Sequence, residues 1–280
     1  MRALALHYLQ LLSRPSLSRR VGRAAEVRLP GPVLRALIAA YARFYGVDLA
    51  ESAEPVASFR TFDEFFTRRL CEGARPVDTT AGVIVAPCDA RLYGLGRIPE
   101  DRRLEQIKGR TYSLDALLGD ARLAAKLKGG VHATLYLSPG MYHRVHWPVD
   151  GRVVAWQRIP GRLYPVNAMA VRHVDRLFAV NQRVVVEVDS PTFGPMAVVL
   201  VGATNVGRIS LTFESMGAPP SIYSDRVEPS RPVDARRGAE LGAFHLGSTV
   251  VLLVGDPRLA SSGPVAGELV KMGEPLWRRA

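Results

Sequence analysis

The sequence predicts an α+β protein, with N-terminal amphipathic helices followed by a β-rich, sandwich or barrel-like catalytic core. Two observations carry this. Apolar residues recur at helical spacing through the first seventy or so positions, and from residue 82 onward the texture changes to short β-branched runs punctuated by Gly and Pro. A third bounds it: 280 residues with 48% hydrophobic content suffice for a sizeable core, as one large domain or two small ones. The natural division is a helical membrane-association region over 1–70 and a β-rich core over 71–280.

In order along the chain, residues 3–12 and 32–45 read as amphipathic helices, separated by a Pro/Arg/Ser-rich break at 13–31. In the second helix Val33, Leu34, Leu37, Ile38, Tyr41, Phe44 and Tyr45 form a stripe, with Arg35 and Arg43 off it. Pro32 suits the first turn and Gly46 the stop. Such a stripe is either a core face or a surface for interfacial insertion. A third helix is expected over 60–70, where Phe62, Phe65, Phe66 and Leu70 share a face. Strands are expected at 83–85, 92–98, 131–137, 153–159, 184–188, 196–203, 209–213 and 249–254, with helices at 113–127 and 172–179. Residues 219–238 read as a mobile loop, and there are no internal repeats.

The formal net charge is +11, and it comes from arginine, the lysines being only Lys108, Lys126, Lys128 and Lys271. Guanidinium forks suit phosphate recognition. Residues 1–43 carry eight arginines against the single acid Glu26. No apolar run there approaches the roughly 20 residues needed to span a bilayer, so the segment can lie on a membrane but not cross it. His7, Tyr8 and Gln10 interrupt its apolar stretch, which argues against a secretory signal. Cys71 and Cys88 cannot form a disulfide framework and show no zinc spacing; both read as small buried hydrophobes in a reducing compartment.

The most informative feature is the step Gly247-Ser248-Thr249 at the head of a β-branched apolar run. Gly247 has no Cβ and can adopt the backbone geometry that lets the next side chain fold back on its carbonyl. Taken alone, Gly-Ser reads as a turn before a strand, and the rest of the chain is what shifts that reading. A second feature is His143-x-x-His146, which holds a metal when both rings share a helix face. Pro148 and strand-like flanks oppose a helix, so either a turn brings both rings together or they serve different sides; no metal is expected.

Five segments in order, FRTFDEFFTRRL (59–70), VAPCDARLYGLGRI (85–98), YLSPGMYHRVHWPVDGRV (136–153), FGPMAVVLVGATNVGRI (193–209) and FHLGSTVVLLV (244–254), together resemble the phosphatidylserine decarboxylases, in particular the shorter bacterial form. The resemblance runs from about residue 20 to about 256, which argues that the arginine-rich front is retained rather than removed as a transit peptide. It departs at Pro87-Cys88-Asp89-Ala90, where the family reads P-A-D-G, and the tail at 257–280 matches no recognised pattern.

The resemblance implies that Asp89, His146 and Ser248 supply acid, base and nucleophile for self-cleavage between Gly247 and Ser248. Ser248 would become a covalent pyruvoyl group, the cofactor whose carbonyl acts as electron sink in decarboxylation. It further implies His143 as proton donor after loss of carbon dioxide and a weak substrate-binding role for Asn167. The expected partners are phosphatidylserine, an anionic membrane surface and the protein's own fragments, 1–247 with 248–280 as a heterodimer, with a higher oligomer left open. The expected location is the cytoplasmic side of the cell membrane, peripherally bound. The rivals are a decarboxylase of another serine phospholipid or amino acid, and a non-enzymatic basic module binding membrane or nucleic acid. Arginines gathered on amphipathic helices, without an aromatic-studded basic sheet, favour lipid over nucleic acid. A pyridoxal enzyme would need an active lysine, for which Lys108 alone lies in a family-like stretch.

Overall fold

The computed structural model describes residues 9–10, 13–107, 109–204, 208–214 and 224–279. Its centre is a nine-stranded antiparallel sheet built around the strand Ser248–Val254. All seven residues of that strand are buried, which explains why its sequence is continuously apolar rather than alternating: both faces are covered. It pairs with Val131–Leu137 on one edge and Gly194–Gly202 on the other. Beyond these lie Ala90–Arg97 and Leu269–Val270 on one side, and Arg183–Ser190, Gly151–Ile159 and Ser224–Val227 on the other. The end strands do not meet, so the sheet stays open rather than closing into a barrel.

A three-stranded sheet of Arg208–Leu211, Glu240–His245 and Arg144–His146 lies against it, and the chain passes from one sheet to the other through Leu246 and Gly247. The second sheet brings the histidine motif beside the strand that leads into Gly247-Ser248. Phe244 N–H donates to the His143 carbonyl at 3.0 Å, three residues before Gly247.

The tail is part of this fold. Pro275–Arg279 pairs with Val83–Val85 and with Leu259–Ser261, and Trp277, opposite Ile84, is buried in the main core.

At the front, the stretch read as a break contains the helix Pro15–Ala25, started by Pro15, whose fixed φ suits a first helical position. The helix expected over 3–12 lies largely outside the described residues; Leu9 and Gln10 are helical, and Leu9 is fully buried in the main core. The helix Gly31–Tyr45 ends, as expected, on Gly46 in the left-handed conformation. Its apolar stripe serves two faces. Leu34, Ile38 and Ala42 pack with Phe65 in a small separate core, while Val33, Leu37 and Phe44 are exposed, Phe44 by 79%. No described helix is long and apolar enough to cross a membrane.

Several boundaries moved for local reasons. The 60–70 helix is only Phe62–Phe66, started by Thr61 Oγ1 accepting from Glu64 N–H while the Glu64 carboxylate reaches back to Arg60 N–H. Residues 113–127 form two helices, Leu114–Leu118 and Ala121–Lys126, because Gly119 turns left-handed and Asp120 caps anew. Residues 172–179 divide into Ala168–His173 and Leu177–Val180. The loop read at 219–238 contributes Ser224–Val227 and Asp234–Ala235 to the edge of Gly151–Ile159, with 215–223 outside the described residues. Cys88 is buried as expected, but Cys71 is exposed, its Sγ beside the Ser52 carbonyl.

Candidate active site

The turn between the sheets is backbone under tension. Leu246 has φ +74° and Gly247 φ +51°, and Leu246 is one of three non-glycine residues with positive φ among those described. A γ-branched side chain in that region crowds its own carbonyl, whereas glycine tolerates it. The residue that follows, Ser248, is 1% exposed, and its Oγ has no hydrogen-bond partner among the described residues. A buried hydroxyl without a partner forgoes stabilisation worth about 1–3 kcal/mol. Backbone strain and a buried hydroxyl with no partner among the described residues therefore meet at the Gly247–Ser248 peptide bond, an arrangement that would fit a pyruvoyl group in place of the serine.

The two motif histidines occupy different surroundings. His143 is 1% exposed, its ring 4.0 Å from the Phe66 ring centroid; Nδ1–H donates to the Met141 carbonyl at 2.8 Å, and Nε2 is buried with no partner. Burial pulls its pKa down to about 3, so the ring is neutral. His146 donates from Nδ1 to the Gly238 carbonyl at 2.8 Å, which leaves Nε2 with the lone pair, and Tyr142 Oη donates to it at 3.1 Å. Its pKa is lowered, chiefly by burial, against the opposing pull of the Gly238 carbonyl. Both rings thus present an unprotonated Nε2. They do not converge as metal ligands, and no cluster of three or more ligating side chains exists among the described residues.

Asp89 and His146 are neighbours, since His146 N–H donates to the Pro87 carbonyl at 2.7 Å, but the carboxylate does not hold the imidazole. Asp89 accepts from Arg75 Nε at 2.8 Å, from Arg75 Nη2 at 2.6 Å and from Met272 N–H at 2.9 Å. The group orienting His146 is the Gly238 carbonyl, and Asp89 acts on it through its charge. Asn167 caps the Ala168–His173 helix, its Oδ1 accepting from Ala170 N–H at 2.9 Å.

Sequence reasoning passed over several residues here. Tyr142 lay inside the quoted histidine motif, four residues before His146; Gly238 and Arg75 carried no local signal. His245, given no role from sequence, joins its Nδ1 to Asp63 at 2.8 Å while Ser210 Oγ lies 3.1 Å from Nε2, anchoring the strand that enters the strained turn. His173 bonds the Met169 carbonyl within its own helix, and His132 lies on the Val131–Leu137 strand. A cleft of about 320 Å³ opens beside the site, lined by Asp89, Tyr142, Met141, Arg75, Arg68 and Lys271 among others. Gly46, the C-cap of the Gly31–Tyr45 helix, also lines it, so the C-terminal end of that helix, two residues beyond the exposed Phe44, borders the cleft. Tyr41 Oη fastens that helix to the Pro139 carbonyl, on the loop that leads to His143.

Residues 62–278 match the phosphatidylserine decarboxylase family, a span that takes in the tail beyond residue 256. The chain is 44% identical to the phosphatidylserine decarboxylase proenzyme of Anaeromyxobacter sp., covering 96% of this chain and 95% of that protein. It is 44% identical to the one from Pseudomonas aeruginosa (95% and 93% covered) and 39% identical to that from Myxococcus xanthus (96% and 95%). With matches of this extent, the chain belongs to the phosphatidylserine decarboxylase family of enzymes.

Proposed function

We propose that this chain is a proenzyme that cleaves itself between Gly247 and Ser248 and then decarboxylates phosphatidylserine to phosphatidylethanolamine and carbon dioxide. The observation that carries the reading is the buried, unpartnered Ser248 Oγ immediately after a positive-φ Leu246-Gly247 turn, in a chain whose family relatives are named proenzymes.

His146 takes the Ser248 hydroxyl proton at Nε2, the nitrogen left free because Nδ1–H is committed to Gly238. Tyr142 must first release that lone pair, a hydrogen-bond exchange that costs little. Ser248 Oγ then bonds to the Gly247 carbonyl carbon, the Gly247–Ser248 C–N bond breaks, and the serine nitrogen takes the proton. Removal of the Ser248 Cα proton next expels the Gly247 carboxylate. The remaining dehydroalanine consumes one water and releases one ammonia. The pyruvoyl group so formed supplies a ketone carbonyl as electron sink for decarboxylation. Ser248–Val254 is hydrogen-bonded along both edges, so the 248–280 fragment stays in the sheet as half of a heterodimer. His143, neutral and buried beside Phe66, would take at its free Nε2 a proton that the substrate ammonium gives up on condensation, and would pass it to the carbanion after carbon dioxide leaves, a transfer favoured because burial penalises the cation.

We also propose peripheral attachment to the cytoplasmic face of the cell membrane. Supporting this are the exposed Val33, Leu37 and Phe44, the cleft at the C-terminal end of their helix where Gly46 lines it, and the eight arginines of residues 1–43. Denaturing mass spectrometry of the purified protein tests the first step, with fragments 1–247 and 248–280 expected and Ser248→Ala expected intact. Release of carbon dioxide from phosphatidylserine by the cleaved protein tests the second. An intact wild-type chain with an ordinary serine at 248, or cleaved protein without that activity, overturns the reading.

A further inference from the structure

Arg68 is the one cation of the cleft that has neither an acid nor a carbonyl to itself. It is 5% exposed, two residues beyond Phe66, whose ring lies against His143; its guanidinium carbon sits 5.1 Å over the Phe65 ring, and its Nε is buried with no hydrogen-bond partner among the described residues. Among the described residues the Arg68 side chain forms no ion pair, although it lies near Tyr41, Glu51, Asp89 and Tyr142. The other cations of the site are committed. Arg75 spends one edge on Glu51 and the other on Asp89, and Arg144 forks onto Glu240. Arg91 is exposed and bonds the Gly267 carbonyl, and Lys271 is largely exposed, 4.0 Å from Glu51. A buried guanidinium is costly unless an anion reaches it.

We propose that Arg68 binds the phosphodiester of the phospholipid headgroup in this cleft. The inference rests on the decarboxylase reading and adds a substrate-binding residue to it. Two anions are present in a serine phospholipid, and the chemistry separates them. A guanidinium holding the carboxylate would stabilise the group that must give up its electrons and depart, and so would oppose the reaction. The phosphodiester keeps its charge from substrate to product. Its recognition is uniform binding, felt in KM rather than kcat. Arginine's paired donors match two phosphate oxygens, and the cleft is bordered by Gly46, two residues beyond the exposed Phe44 at the end of the apolar helix.

The kinetic test compares wild type, Arg68→Gln and Arg68→Lys after self-cleavage, on short-chain phosphatidylserine and on an O-alkylserine, which keeps the amine and carboxylate but lacks the phosphate. Arg68→Gln should raise KM for the phospholipid about 10- to 100-fold with a much smaller change in kcat, and should lower its kcat/KM relative to that of the O-alkylserine by the same factor. Arg68→Lys should recover part of that preference. Equal losses on both substrates, or a loss confined to kcat, would overturn the proposal. A binding arm separates it from the decarboxylase reading: calorimetric titration of glycerophosphoethanolamine into uncleaved Ser248→Ala protein should give binding that Arg68→Gln weakens by the same factor. Binding that survives Arg68→Gln, or no binding at all, counts against Arg68 whatever the catalytic assays show.

Discussion

Arg75 holds Asp89 with two nitrogens, Nε at 2.8 Å from Oδ1 and Nη2 at 2.6 Å from Oδ2, while its Nη1 and Nη2 also reach Glu51 at 2.9 and 2.8 Å. The acid of the expected triad is therefore tied to residue 75 and not to the imidazole it was expected to orient. Arg75→Met should destabilise the Ser248→Ala protein by about 3 kcal/mol, because it strands a buried carboxylate, whereas Asp89→Asn should cost less since Arg75 keeps Glu51. Urea midpoints measure both. Equal costs would show that the clamp is not what holds this corner.

The same geometry ranks the maturation variants. His146→Ala removes the base and should slow self-cleavage by about 100-fold or more. Asp89→Asn removes only a nearby charge that favours the imidazolium, so a roughly tenfold effect, about one pKa unit on the base, is expected. His143→Ala should cleave. Appearance of the 248–280 fragment over time reads all three, and an Asp89→Asn defect as deep as that of His146→Ala would restore a direct carboxylate–imidazole contact.

Acid should destabilise the fold through its buried histidines. Burial lowers His143 from 6.5 to about 3 and lowers His146 as well, so between those values the unfolded chain binds more protons than the folded one. This stability is fully present above about pH 6.5 and is lost as pH falls toward the folded value. Between pH 6.5 and 5 His143 alone should cost ~2 kcal/mol, and His143→Gln should flatten that part of the curve. Self-cleavage should stay fast somewhat below pH 6.5, since a lowered pKa keeps His146 in its basic form.

Leu246→Gly should relieve the positive-φ strain, worth about 1–2 kcal/mol, and stabilise the precursor. Strain released on cleavage then no longer helps the reaction, and the rate should fall roughly 5- to 30-fold. Faster cleavage in Leu246→Gly would mean that the turn restrains Ser248 rather than driving it.

Leu37→Glu with Phe44→Glu should weaken binding to anionic vesicles by at least tenfold, the loss expected from two apolar side chains at about 1.5–3 kcal/mol each, with self-cleavage retained. The residual arginine-driven binding should weaken further as salt rises. Deleting residues 1–31 is a poorer probe: it also removes Leu9 from the main core, and with it Ser13, whose carbonyl accepts from Leu163 N–H. Unchanged vesicle binding by the double variant would move the membrane contact to another face.

The sequence by itself determined the α+β class and most of the central strands, and it singled out the Gly247-Ser248 step at which cleavage is proposed. A β-branched run buried on both faces and a Gly-Ser step are local facts of composition, and Ser248–Val254 falls within one residue of the expected strand. The sequence also offered Asp89, His143 and His146 as candidates, by resemblance. Their hydrogen-bond partners were decided only by tertiary structure. His146 is oriented by a carbonyl 92 residues away, Asp89 is held by an amide 183 residues away and by Arg75, and Arg68 reaches the cleft because Phe65 and Phe66 bury the segment before it. Backbone carbonyls and amides carry no residue-specific signal, and an arginine's partner depends on which loops the sheets bring together. The tail shows the same limit: its strands are short, and only pairing with Val83–Val85 and Ala90–Arg97 gives them an apolar surface to bury.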